Sequence, residues 1–171
     1  SGEVPAAGLM VGHQGKTTGP HLFGKQTFAD NSTPICDDAI FLIASITKPI
    51  VATAALLLVE RGLLTLDDRV KHFIPEFGNN GKHGVTIRHL LTHTSGLPDM
   101  LPNNTELRAA HAPLLEFVAE TCKQPLAFAP GRGVKYQSMG FCLLGEIIAR
   151  IAGRPCPQFL QEEIFAPLGM Q

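Results

Sequence analysis

The pattern of apolar and polar positions changes character at Ser45. Before it, short apolar runs are separated by turn residues; after it, Leu- and Ala-rich stretches recur at helical spacing. Ala6 to Gly12 reads as a short apolar strand, and His13-Gln14-Gly15 as the turn of a hairpin. A second strand is expected between Lys16 and Phe28, interrupted by Gly19 and Pro20. The polar loop Asp30 to Pro34 leads to an apolar run, Ala39 to Ala44, which reads as a buried strand end. Ser45 to Arg61 then reads as a core helix closed by Gly62. Pro49 is tolerated only in the first turn, so this helix must start at or just before Ser45.

Further helices follow by their stop and start residues. Thr65-Leu66-Asp67-Asp68 resembles a capping box, and Thr86 caps a helix through Thr92 that breaks at Ser95-Gly96-Leu97-Pro98. Pro113 opens a helix to about Cys122. Ser138 caps a long one to Ala152, ended by Gly153 and Pro155, and a last one runs from about Pro157 to Phe165. The chain thus divides into a strand and loop part over about residues 4–44 and a mainly helical part over about residues 45–171, an α+β arrangement. Two strands make a marginal sheet on their own, so more sheet is expected than these residues supply.

Composition narrows the function without naming it. With 171 residues, 44% hydrophobic and 17% charged, the chain can bury a real core. Its net charge is −1 and its Lys and Arg are scattered, which argues against nucleic acid or an anionic membrane as partner. Ala39 to Val59 imitates a membrane span, but Lys48 lies near its centre at a cost of roughly 2.5–3.5 kcal/mol. A strand end followed by a core helix fits better. No signal peptide is visible in a chain that begins Ser1-Gly2-Glu3, and the compartment stays open. Cys36, Cys122, Cys142 and Cys156 form no CxxC pair and have no His at zinc spacing, so no metal or cofactor is expected. Three disulfide pairings remain formally open, although the apolar helical surroundings of Cys142 suit a buried free thiol.

The chemistry gathers at Ser45-Ile46-Thr47-Lys48. Residues three apart on a helix share a face, and helical side chains lean toward the N-terminus, so Lys48 Nζ can reach Ser45 Oγ. A serine hydroxyl is a weak nucleophile unaided, and an amine serves as its base where desolvation and a helix N-terminus weaken its hold on a proton. By itself the spacing is weak: chance predicts about 0.2 such pairs here, and a helix cap followed by a solvated lysine has the same spelling. Tyr136-Gln137-Ser138 lies at a turn entering a helix and holds the chain's one Tyr, a candidate second acid/base group. A buried Tyr packed on a helix start is the plainer alternative.

Ser45 to Lys48, within FLIASITKPIVATAALLLVERGLLTLDD, resembles the first active-site motif of the serine β-lactamase and penicillin-binding-protein superfamily. The likeness is strongest to its class C β-lactamase, D-Ala-D-Ala peptidase and esterase branch. Val85 to Asp99 (VTIRHLLTHTSGLPD), Pro130 to Pro155 (PGRGVKYQSMGFCLLGEIIARIAGRP) and the late PLGM resemble that branch's further landmarks, in order over essentially the whole chain. The resemblance implies a β-lactamase/DD-peptidase-like fold with Ser45 as acylated nucleophile, Lys48 as activating partner and Tyr136 as second acid/base group. It implies the Ser45 N–H as half of an oxyanion hole, and a small ester, peptide or β-lactam as substrate. His93 is expected to be structural.

Two departures qualify it. The family's Tyr motif usually ends in Asn, whose amide can bond a substrate's acylamino carbonyl. Here the position is Ser138, still a candidate substrate contact but a shorter group with one donor, which tilts the reading toward esters. The family's third motif, Lys or His, then Thr or Ser, then Gly, is absent after Tyr136. The family fold is about twice as long, so the chain corresponds to its opening strands and helical region without the later sheet strands and final helix. Completion by a missing C-terminal segment or a second chain is expected. The competing expectation is a non-catalytic sensor-like or scaffolding half.

Overall fold

The computed structural model describes residues 3–170. They form two compact units, one running up to Ala44 and one from Ser45 onward.

The first unit is built on a hairpin of β1 (Ala6–His13) and β2 (Lys16–Gly24). The strands pair antiparallel, with Ala6 opposite Gly24 and His13 opposite Lys16, and the register shifts between Leu9 and Val11. Gln14 and Gly15 both take positive φ, 46° and 76°, the backbone that a two-residue turn needs to match the strand twist. The turn and both strands therefore lie where the residue pattern puts them. The run from Ala39 to Ala44 does not: it is neither strand nor buried. Ile40 is 100% and Leu42 95% exposed, and no strand among the described residues pairs with this segment. Apolar character supplied the drive to be buried, but burial also needs a partner surface.

The second unit is helical. The 3-10 turn Ala44–Ile46 leads into α1 (Thr47–Glu60), followed by the short α2 (Val70–Phe73), α3 (Ile87–Leu91) and α4 (Asn104–Ala109). Then come α5 (Leu114–Lys123), α6 (Met139–Ala152) and α7 (Cys156–Leu160), which continues into a π-helical turn over Gln161–Phe165. In α1 the buried positions are Val51, Ala54, Ala55 and Leu58, the spacing of one helical face. They pack on α6, whose Leu143, Leu144, Ile147 and Ile148 are fully buried and also meet α5 and α3. Pro49 falls at the third position of α1, where its missing N–H breaks no helical bond.

The capping residues behave unevenly. Thr86 accepts from the His89 N–H, and His89 Nδ1 accepts from the Thr86 N–H, a capping box with His in the place of Glu. At Thr65 only half of a box forms: Asp68 accepts from the Thr65 N–H at 2.7 Å, and the helix starts later, at Val70. Ser138 precedes α6, as expected, but its side chain does not cap that helix. Helix α4 was not legible, because its residues carry no apolar period and none is buried. Gly62, with φ 68°, ends α1 and has open space around it. Gly62→Ala is therefore expected to cost about 1 kcal/mol from backbone strain alone, read as a lower midpoint in urea at unchanged slope.

All four cysteines are free thiols: Cys36 is exposed, Cys122 and Cys156 are buried, and Cys142 is half-buried in α6. Burial pushes the Cys122 thiol up to about 11. Among the described residues no helix is long and apolar enough to cross a membrane.

Candidate active site

Ser45 sits in the 3-10 turn, directly after Ala44, whose φ of 44° is left-handed. A non-glycine residue there costs roughly 1–2 kcal/mol, which the surrounding structure must offset. The strain lies where the chain turns to present Ser45 at the mouth of α1. One turn later Lys48 reaches back, and its Nζ donates to Ser45 Oγ at 3.1 Å. The hydroxyl of Tyr136 approaches the same oxygen from the segment before α6, at 2.7 Å. The three residues named from the sequence are thus in mutual contact within the helical unit. Lys48 Nζ also lies 4.7 Å from the centre of the Tyr136 ring and 5.9 Å from that of Phe141.

Charge tunes the phenol. The Lys48 ammonium beside it and, second, the hydrogen bond to Ser45 hold the Tyr136 hydroxyl below its usual range, against a smaller opposing push from burial. Tyr136 is 47% exposed, so the pair is open to solvent on one side. A phenol lowered in this way can take the Ser45 proton once ionised, with the ammonium of Lys48 stabilising the phenolate.

The segment that carries Tyr136 is held by contacts that the sequence did not announce. Gln137 points inward and is fully buried. Its backbone N–H donates to His93 Nδ1 at 3.2 Å, and its Nε2 donates to the carbonyls of His89 and Leu90 at 3.3 and 3.2 Å. The buried Ser95 hydroxyl donates to Gln137 Oε1 and also accepts from the Leu97 N–H. Gly140 makes room for this: a Cβ there would fall 2.8 Å from Gln137 Nε2.

His93 supports the tyrosine from behind. Its ring lies 4.7 Å from that of Tyr136 and its carbonyl accepts from the Lys135 N–H. Burial and the nearby Lys48 charge both push the imidazole below its ordinary range, so it is neutral at pH 7 with its proton on Nε2. That chemistry is supportive, as expected of a residue with no contact to Ser45 Oγ.

Ser138 faces a different partner from any foreseen. Both its backbone N–H and its hydroxyl donate to Asp99 Oδ1, at 2.8 and 2.7 Å. Asp99 was visible only as the last residue of the Val85–Asp99 landmark, and Gln137 only as the residue between Tyr136 and Ser138. Nothing in local pattern tells an inward glutamine from an outward one. Among the described residues no group of three His, Cys, Asp or Glu side chains is placed to hold a metal ion.

Comparison with known proteins bears on the family and the fold. The esterase EstB of Burkholderia gladioli is 39% identical over 153 residues, covering 81% of this chain and 39% of the esterase. The octameric penicillin-binding protein homologue from Pyrococcus abyssi superposes with a TM-score of 0.87 at 28% identity, over 99% of this chain and 40% of that one. The D-amino acid amidase of Ochrobactrum anthropi SV3 gives a TM-score of 0.84 at 31% identity, over 99% and 46%. The chain therefore has the opening strands and helical region of the β-lactamase and penicillin-binding-protein fold. It spans about a third to two fifths of the length of the curated relatives it matches. The family model for Beta-lactamase matches residues 1–171, and the chain belongs to that family.

Proposed function

We propose that the chain carries the nucleophilic part of a serine acyl hydrolase, with Ser45 forming a covalent acyl-enzyme on ester, amide or β-lactam carbonyls. The observation that carries this reading is the convergence of Lys48 Nζ and the Tyr136 hydroxyl on Ser45 Oγ. The Ser45 hydroxyl gives its proton to the Tyr136 phenolate or the Lys48 amine as Oγ bonds to the carbonyl carbon. The tetrahedral adduct collapses, the leaving group departs with that proton, and water repeats the path to release the acid and restore Ser45. The Ser45 N–H supplies one oxyanion donor in this scheme.

The names of similar proteins, an esterase and a D-amino acid amidase among them, support acyl transfer to water as the common chemistry. With Ser138 in place of the family's Asn, and its hydroxyl donating to Asp99 Oδ1, no amide stands there to bond an acylamino carbonyl, which favours esters within that range. The reading includes completion of the fold by a further segment or a second chain, supported by the bare Ile40 and Leu42 and by the relatives' greater length. Incubation of the complete gene product with a fluorophosphonate probe is expected to add one probe mass to the peptide holding Ser45, with Ser45→Ala as the blank. An unmodified Ser45 after prolonged exposure would overturn the proposal.

A further inference from the structure

His93 holds both chain neighbours of Tyr136. Its carbonyl accepts from the Lys135 N–H at 2.9 Å, and its ring Nδ1 accepts from the Gln137 N–H at 3.2 Å. Between these two bonds the imidazole lies against the Tyr136 ring, the centres 4.7 Å apart and the planes inclined by 32°. The backbone at His93 is left-handed, with φ 60°, and the Thr94 N–H returns to the His89 carbonyl to close α3. Glycine is the usual residue at such a helix end, because a side chain there is strained. Here the strained residue is the one whose ring and carbonyl grip the Tyr136 segment.

The ring bond exists in one protonation state only. A neutral imidazole with its proton on Nε2 offers a lone pair at Nδ1, whereas an imidazolium donates at both nitrogens and accepts nothing. Protonation therefore sets two N–H donors against each other and strips the Gln137 N–H, in a fully buried residue, of its acceptor. From α1 the Lys48 ammonium opposes that protonation, and the Asp99 carboxylate, beyond α3, favours it. The Tyr136 phenol lies against the ring, and α6 presents the uncharged Phe141 ring at 5.5 Å. Burial and Lys48 together outweigh Asp99, so the ring takes up its proton below the ordinary histidine range.

Resting on the acyl-hydrolase reading above, we infer that His93 is a proton-sensitive positioning residue, which holds the Tyr136 hydroxyl on Ser45 while its ring is neutral and releases it when the ring is protonated. The ring is no base in the reaction, since its Nδ1 is committed to the Gln137 N–H. Acylation then depends on two protons of different kinds. One leaves the base, Tyr136 or Lys48, and makes the rate rise about tenfold per pH unit. The other leaves His93 and assembles the 2.7 Å contact between the Tyr136 hydroxyl and Ser45 Oγ.

The test is the pH dependence of fluorophosphonate labelling at Ser45 in the complete gene product, over the range in which circular dichroism shows the fold intact. Below the His93 midpoint the wild-type rate should fall about a hundredfold per pH unit, two protons in place of one. His93→Asn puts an amide oxygen where Nδ1 stands, tolerates left-handed backbone and does not titrate. It should keep the tenfold slope into acid. His93→Phe keeps a ring against Tyr136 without the acceptor, and should label at least tenfold more slowly than His93→Asn at about pH 7.5. Equal rates in the two variants, or the steep slope persisting in His93→Asn, would overturn the inference. NMR of the wild-type protein reads the same event without chemistry: the Gln137 amide proton should shift upfield with the midpoint of the His93 ring. An amide that stays put through that titration would refute the role of His93 whether or not Ser45 labels, whereas absent labelling alone would strike the hydrolase reading.

Discussion

Lys48→Ala is expected to slow acylation of Ser45 by about a thousandfold, measured as the second-order rate of probe labelling. The substitution removes the donor at 3.1 Å from Ser45 Oγ and the cation that holds the Tyr136 phenol low. With the cation gone, the phenol rises toward its ordinary value and less of it is ionised at neutral pH. The rising limb of the pH–rate profile should therefore move to higher pH, in addition to the loss of maximal rate. Lys48→Arg separates the two roles, because a guanidinium keeps the charge but does not accept a proton under these conditions. If Lys48 acts only as a countercharge, Arg should recover much of the rate; if it acts as the base, Arg should be about as slow as Ala. Losses below about tenfold in both variants would reduce Lys48 to a surface lysine beside a cap.

Gln137→Ala is expected to destabilise the protein by about 3 kcal/mol, seen as a lower denaturation midpoint. Its side chain serves the His89 and Leu90 carbonyls and the Ser95 hydroxyl in a fully buried pocket. Truncation orphans these groups together and leaves a void beside Gly140. Gln137→Leu restores most of the volume but none of the hydrogen bonds, so it should recover only a minor part of the loss. Because Gln137 also anchors the backbone next to Tyr136, both variants should label more slowly at Ser45 while still folded. A drop in stability with unchanged labelling would show that Tyr136 finds Ser45 without this anchor.

These two residues also mark how far the chain could be read from its letters. Lys48 was legible because its relation to Ser45 is local: helix geometry alone brings positions three apart together. Tyr136 was legible through resemblance and through being the one tyrosine in the chain. The ends of α1 and α6 were legible because Gly62 and Gly153 supply left-handed backbone where helices stop. Gln137, Asp99 and Ser95 were not, since their roles rest on partners about 40 residues away in the chain. The same limit explains the Ala39–Ala44 error. Its apolar residues argued for burial, but burial is a property of two surfaces and the pattern describes only one. Ser138 illustrates a subtler failure, in which the position relative to α6 was right and the hydrogen-bond partner was not.

The two contacts at Ser45 differ in how they can form during folding. The Lys48 contact spans three residues and arises with the first turn of α1, on the sub-microsecond scale of helix formation. The Tyr136 contact closes a loop of 91 residues, at an entropic cost of about 4 kcal/mol before anything offsets it. A partly folded chain can therefore hold the serine and lysine together while the Tyr136 contact is still open. Reactivity would then switch on with the late docking of the segment before α6, so that acquisition of probe labelling during refolding would report closure of the helical unit rather than growth of its first helix.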